Sequence, residues 1–249
     1  MASNIGRASS NAGKGRFPWL KIWTGVFFVY LYGPIAVLIG YSFNDNRIAQ
    51  VWTEFSTKWY VKAFSNEAIQ NAITNSLVVA AVATVASTLF ATMAALVLSR
   101  GHFRGQTLSL GIISLPLLVP EIATAVATLT FFAAIKLPLG LMSIIIAHIV
   151  FCIPFAFMVL WYVVLPQLKP GIIAGGILAF IISIDDFIIS LMVAGAGATT
   201  LPLYIYGMIR LGVSPEINAV STVLFLVSLT LVGIYWFISK QNEGTINAH

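Results

Sequence analysis

Residues Ile172 to Val193 read IIAGGILAFIISIDDFIISLMV, an apolar run that carries two adjacent carboxylates, Asp185 and Asp186. A bilayer-spanning helix needs about 20 mostly apolar residues, so this stretch reads as a membrane segment. A charge inside such a segment is costly unless it faces a partner or a water-filled path. One stretch therefore indicates both a fold class and a site.

Outward from it lie five comparable runs: roughly Trp23 to Phe43, Ile73 to Leu98, Leu108 to Ile135, Leu141 to Val164 and Ile217 to Ser239. The 249 residues are 59% hydrophobic and 8% charged, with a mean hydropathy of +0.96, outside the range of ordinary soluble domains. An all-α membrane protein with six transmembrane helices is expected. Residues 1–16, rich in Ser, Asn, Gly and Ala, read as a flexible cytoplasmic tail, 17–240 as the membrane domain and 241–249 as a second cytoplasmic tail.

The net charge of +5 comes from basic residues scattered over loops, which fits membrane topology and argues against nucleic acid. With a cytoplasmic amino terminus the inner side collects Arg7, Lys14, Arg16, Lys21, Arg100, Arg104, Lys169 and Lys240, against Arg47, Lys58, Lys62, Lys136 and Arg210 outside. Trp19, Trp23, Trp161 and Trp236 fall near the same inner interface. Both termini are assigned to the cytoplasm. Cys152 stands alone in the fourth run, so no disulfide forms within the chain. His148 has no second His or Cys at ligand spacing, so it reads as a hydrogen-bonded packing residue and no metal site is expected.

Four features bear on a path through the membrane. Pro116 and Pro120 remove backbone donors from the third run and predict a kink, with Glu121 immediately beyond it. In the fifth run Gly175, Ala179, Ser183, Asp186 and Ser190 succeed one another at steps of three and four, making one small and increasingly polar helix face. Asp185 lies about 100° around the helix from Asp186, so the two acids should have different partners, with an ion pair or a helix cap as the purely structural alternative. Trp59, in an outer segment with Phe55 and Tyr60, reads first as an interfacial anchor and second as a face for a cation. Ala83, Ser87, Ala91 and Ala95 mark a packing face in the second run. Leu203 to Leu211 suggests a short outer helix, and Ser214-Pro215-Glu216 an N-cap opening the last span.

The segments FSTKWYVKAF (Phe55 to Phe64), LPLLVPEIATAVATLTFF (Leu115 to Phe132) and SIDDFIISLMVAGAGATTLPLYIYGMIRLGVSPEINAVSTVL (Ser183 to Leu224) together resemble the PotC-type inner-membrane permeases of binding-protein-dependent importers for spermidine and putrescine. The resemblance covers nearly the whole chain. It implies a type I importer permease bundle in the bacterial inner membrane and half of a heterodimeric pore. A second permease subunit, a cytoplasmic ATPase dimer and a periplasmic polyamine-binding protein would complete the assembly, with no cofactor and no catalytic site on this chain. By the same resemblance Asp186, Asp185, Glu121, Ser183 and Trp59 fall near the substrate path. A polyamine's separated ammonium groups call for separated carboxylates with apolar or aromatic surface between them, which agrees with the acids read from the residues alone.

The chain departs from that family between its fourth and fifth runs. Relatives carry a cytoplasmic coupling loop with a Glu-Ala-Ala start, a Gly and a Leu-Pro end; here Phe157 to Val164 runs directly into Leu165-Pro166. The fold is expected to survive, since all six runs still fit a bilayer, while coupling to ATP hydrolysis is expected to be weak. Two other readings stand beside transport of a polycation: a permease for another small substrate such as an amino acid or iron complex, and a non-transporting half-permease. A secondary transporter is disfavoured, as no inverted repeat is visible.

Overall fold

A computed structural model describes residues 18–47, 51–100, 104–163, 168–212 and 214–246. Among these residues the chain is helical, with an isolated β-bridge between Asn44 and Phe55 in the outer segment. The helices are α1 (Pro18–Ser42), α2 (Lys58–Ser65), α3 (Glu67–Arg100), α4 (Gln106–Ser114), α5 (Glu121–Ala134), α6 (Leu141–Val163), α7 (Leu168–Asp185), α8 (Ile188–Val193), α9 (Leu201–Leu211) and α10 (Pro215–Ile246). The amino-terminal tail and the Leu165-Pro166 junction lie outside the described residues.

Helices α1, α3, α6 and α10 are each long and apolar enough to cross a membrane. The third run is bent where its prolines predict a kink, and the fifth run is broken where a continuous helix was expected. In the third, a 3₁₀ turn at Leu115–Leu117 follows α4, and α5 leaves at 104° to the incoming pair of segments. Proline explains the size of this bend. Pro116 sits in the 3₁₀ turn and Pro120 precedes Glu121 with an extended ψ of 133°, so neither offers a donor to continue an α-helix. The fifth run breaks at Asp186 and Phe187, between α7 and α8. Among the described residues four helices are long and apolar enough to span, or five if the bent third run is counted as one, so the expected six is not reached. Helix α7 contributes a shorter apolar helix, Gly171–Asp185.

The core sits where α3, α6 and α7 pack together. The small stripe of α3 is buried along its length, with Ala83, Ser87 and Ala91 fully inside and Ala95 nearly so. Helix α7 answers with Gly175 and Gly176. A methyl group on Gly175 would stand 3.2 Å from the Ala156 carbonyl of α6, and one on Gly176 3.4 Å from Thr88 Oγ1 of α3. Small residues therefore let three backbones approach closely, as membrane bundles require where lipid provides no hydrophobic drive. Cys152 and Phe157 of α6 fill the centre with Ala179. Helix α1 is peripheral; it packs on α10 and buries almost nothing within this chain.

The outer connections are tied by side chains. Asn44 organises the first: its Nδ2 donates to the Val51 carbonyl (2.7 Å) and its Oδ1 accepts from Thr53 N–H (3.1 Å). Helix α2 then puts Trp59 and Ala63 inward and Lys58 and Lys62 outward, the four-residue spacing expected of one turn. Ser143 at the start of α6 donates to the Val193 carbonyl (2.8 Å), and Gly195 lies so close to Leu139 that no Cβ would fit without backbone movement. Leu201 N–H donates to Ser76 Oγ (2.7 Å), fixing α9 to α3.

Two expectations at the last helix change. The Ser214 carbonyl accepts from Ile217 and Asn218 N–H as an N-cap backbone does, but its buried hydroxyl makes no hydrogen bond. Glu216 is drawn instead into an interhelical clamp, accepting from Lys62 Nζ (2.9 Å) and Asn66 Nδ2 (3.2 Å). The second tail begins later than expected, since α10 runs on to Ile246: nothing between Gln241 and Ile246 forbids helix except Gly244, whose cost is only about 1 kcal/mol.

Candidate substrate site at a broken helix

The face that the sequence places on one side of the fifth run arrives intact in the core. Ala179, Ser183, Asp186 and Ser190 are all buried. At the break, Asp186 turns back onto the following helix: its Oδ2 accepts from the backbone N–H of Ser190 (3.0 Å) and from Ser190 Oγ (3.2 Å). The helix-cap reading of this acid is thus realised at one of its two oxygens. Phe187 packs at a tilt against Tyr206 of α9, with ring centroids 4.6 Å apart, and pins the break on that side.

From α6, His148 closes the site. It is 1% exposed and uses both ring nitrogens, Nδ1 with Ser183 Oγ (2.8 Å) and Nε2 with Asp186 Oδ2 (3.1 Å) and Ser190 Oγ (3.1 Å). A carboxylate can only accept, so Nε2 carries the hydrogen, and in the neutral ring Nδ1 accepts from the Ser183 hydroxyl. Donors from two elements therefore converge on Oδ2.

Asp186 Oδ1 is different. It is buried and has no hydrogen-bond partner. The carboxyl of Glu121, at the start of α5, lies alongside that of Asp186. Helix α5 packs on α8, so the proline-made bend in the third run and the break in the fifth deliver two carboxyl groups to one place. Such a pair in a low-dielectric surrounding is stable only with a proton between its members or a cation beside them.

Asp185 points elsewhere. Its Oδ1 accepts from Ser228 Oγ of α10 (2.8 Å), and the residue is exposed, so the acids do have separate partners. Trp59 belongs to the outer segment: its indole N–H donates to the Asn44 carbonyl (2.7 Å), and Lys58 and Lys62 Nζ lie 5.2 Å and 5.3 Å from its ring centroid. It forms part of the wall of an outer cavity of about 780 Å³ together with Asp45, Glu54 and Arg47. The Lys58 ammonium holds the Asp45 carboxyl below the ordinary carboxylate range. The structure thus brings Asp186, Ser183 and Glu121 together, with Asp185 on the adjoining residue, and sets Trp59 in a separate network. Sequence reasoning passed over His148 as a member of the site; the signal available was a lone imidazole in an apolar helix of a chain with two intramembrane acids. No group of three or more metal-ligating side chains occurs among the described residues.

No protein-family model matches the chain. It is 34% identical to the putrescine transport system permease protein PotI of Escherichia coli, over 92% of this chain and 93% of that one. The spermidine/putrescine transport system permease protein PotC of Escherichia coli is 34% identical over 88% and 94% of the two chains. The chain belongs to the PotC-type family of spermidine/putrescine importer permeases. PotC of Haemophilus influenzae, 31% identical over 88% of this chain and 95% of its own, extends the match. The alignment with PotI takes in 262 positions yet uses 92% of the 249 residues here, so some thirty of its positions have no residue of this family member opposite them. In fold, the family member resembles a chain of a bacterial ABC transporter involved in the import of the acidic polysaccharide alginate, with a TM-score of 0.58 at 15% identity over 94% and 98% of the two chains.

Proposed function

We propose that this chain is the membrane permease of an ATP-driven polyamine importer and that Asp186 and Glu121 hold one ammonium group of the cargo. The observation that carries this reading is the buried Asp186 carboxyl, whose Oδ1 has no hydrogen-bond partner and which has the Glu121 carboxyl as its neighbour. A polyamine ammonium supplies both the donors and the positive charge that this pair lacks. Asp185, with Ser228, offers a separate carboxylate for another ammonium of the same molecule. Trp59 and Asp45 line the outer cavity at which the cargo first arrives.

Oδ1 has no accessible surface in this conformation, so loading requires α5 and α8 to part and re-form around the cargo. That is the local form of alternating access. The chain then works with a second permease, a cytoplasmic ATPase dimer and a periplasmic polyamine-binding protein, in a bacterial inner membrane with both termini cytoplasmic. Hydrolysis takes place on the separate ATPase. The short junction from Val164 into Leu165-Pro166, which lacks the Glu-Ala-Ala start and the Gly of the family's coupling loop, supports weak coupling to that ATPase.

The test is uptake of radiolabelled spermidine by import-deficient bacteria carrying this chain with its partner subunits. In Asp186→Asn, the amide oxygen can keep the Ser190 and His148 contacts while its NH₂ occupies the bare position and opposes an ammonium. Losing a charged hydrogen bond of about 1.5–3 kcal/mol predicts uptake lowered by about tenfold or more. Unchanged uptake would remove Asp186 from the path.

A further inference from the structure

We infer that His148 is a positioning residue for polyamine binding, holding Asp186 by one oxygen so that the other is presented to the cargo, and that Ser183 acts on Asp186 only through His148. This rests on the substrate reading above. It adds to that reading a residue on a different helix and a changed role for Ser183.

The geometry is specific. Among the described residues, the side chain of His148 is the group of α6 that reaches both parts of the broken run: Nδ1 meets Ser183 on α7, and Nε2 meets Asp186 at the break and Ser190 on α8. All of these groups are buried, so each contact is made away from water. No hydrogen bond joins Ser183 directly to Asp186; the Ser183 hydroxyl donates to Nδ1, which leaves Nε2–H as the ring donor toward Oδ2. With His148 and Ser190 both directed at Oδ2, the carboxylate cannot rotate to exchange its oxygens without breaking three contacts. Oδ1 is thereby left with its lone pairs unused, on a carboxyl that has Glu121 as its neighbour. Fixing a charged group before the ligand arrives spares the ligand that ordering cost.

Two amides separate this role from mere packing. In His148→Gln the side-chain NH₂ falls near the position of Nε2 and can still donate to Asp186. In His148→Asn the shorter side chain falls near Nδ1, so it keeps the Ser183 contact and loses Asp186. Both are polar and close in size, and both should assemble at similar levels. Equilibrium binding of radiolabelled spermidine to the assembled complex of both permeases and the ATPase in lipid nanodiscs, without the binding protein, is the readout, with Asp186→Asn and the His148→Asn/Asp186→Asn double variant measured alongside.

The expected pattern has four parts. His148→Asn weakens binding by about tenfold, the loss corresponding to one hydrogen bond to a charged group. His148→Gln recovers affinity to within about threefold of the unmodified complex. The double variant binds no worse than Asp186→Asn alone, since His148 acts through Asp186. Ser183→Ala falls between His148→Gln and His148→Asn. Equal losses in the two amide variants, or full affinity in His148→Asn while Asp186→Asn is impaired, would overturn the positioning role and leave the substrate reading standing. Full affinity in Asp186→Asn, or no spermidine binding by the unmodified complex, would overturn both.

Discussion

Asp185 and Asp186 are neighbours in sequence with different surroundings. Separate partners were legible from the step of about 100° expected between helical neighbours. What sends Asp185, the last residue of α7, toward Ser228 on α10 and Asp186 into the core is the break between α7 and α8, which the sequence did not show. The partners of His148 were not legible. They lie 35 and 42 positions away on elements whose docking no local pattern specifies. Trp59 illustrates a third case, since its aromatic character allowed both an anchor and a cation face, and the ring is approached by the chain's own Lys58 and Lys62. Trp59→Phe removes the only donor that its side chain offers and leaves the Asn44 carbonyl without that partner. The expected result is a loss of about 1–3 kcal/mol in unfolding stability, read as a lower midpoint in thermal unfolding of the detergent-solubilised chain. An unchanged midpoint with weakened spermidine affinity would instead place Trp59 on the path.

At the scale of elements, apolar length located the runs but not their interruptions. Pro116 and Pro120 announced a bend in the third run, yet its 104° depends on a 3₁₀ turn and an extended residue that act in succession. The break in the fifth run has no proline or glycine at Asp186-Phe187 to announce it. It is held by tertiary partners: the Ser190 N–H that Asp186 accepts, the His148 contact and the packing of Phe187 against Tyr206. Both interruptions converge on the candidate site, where local propensity yields to the contacts made by buried Asp186 and its half-buried neighbour Glu121. The junction between α6 and α7 carries the coupling question. Grafting the corresponding loop of PotI between Val164 and Leu165 is expected to raise spermidine-stimulated ATP hydrolysis by the assembled importer severalfold. Equal stimulation with and without the graft would contradict weak coupling.

Across the whole molecule, charge and fold part company. The chain shares its architecture with a transporter chain from an importer of an acidic polysaccharide, so the bundle itself does not set the sign of the cargo. On the proposed reading, that sign is set by a few side chains brought together by two broken runs on a core of α3, α6 and α7. The central claim is that a polyamine ammonium sits between Asp186 and Glu121. Electron cryo-microscopy of the assembled importer with spermidine, trapped with the site occluded, tests it most directly. Ligand density is expected with an amine nitrogen within about 3 Å of Asp186 Oδ1 and in contact with Glu121, while His148 and Ser190 remain on Oδ2. Density for spermidine elsewhere in the path, with Oδ1 still unpartnered, would contradict it.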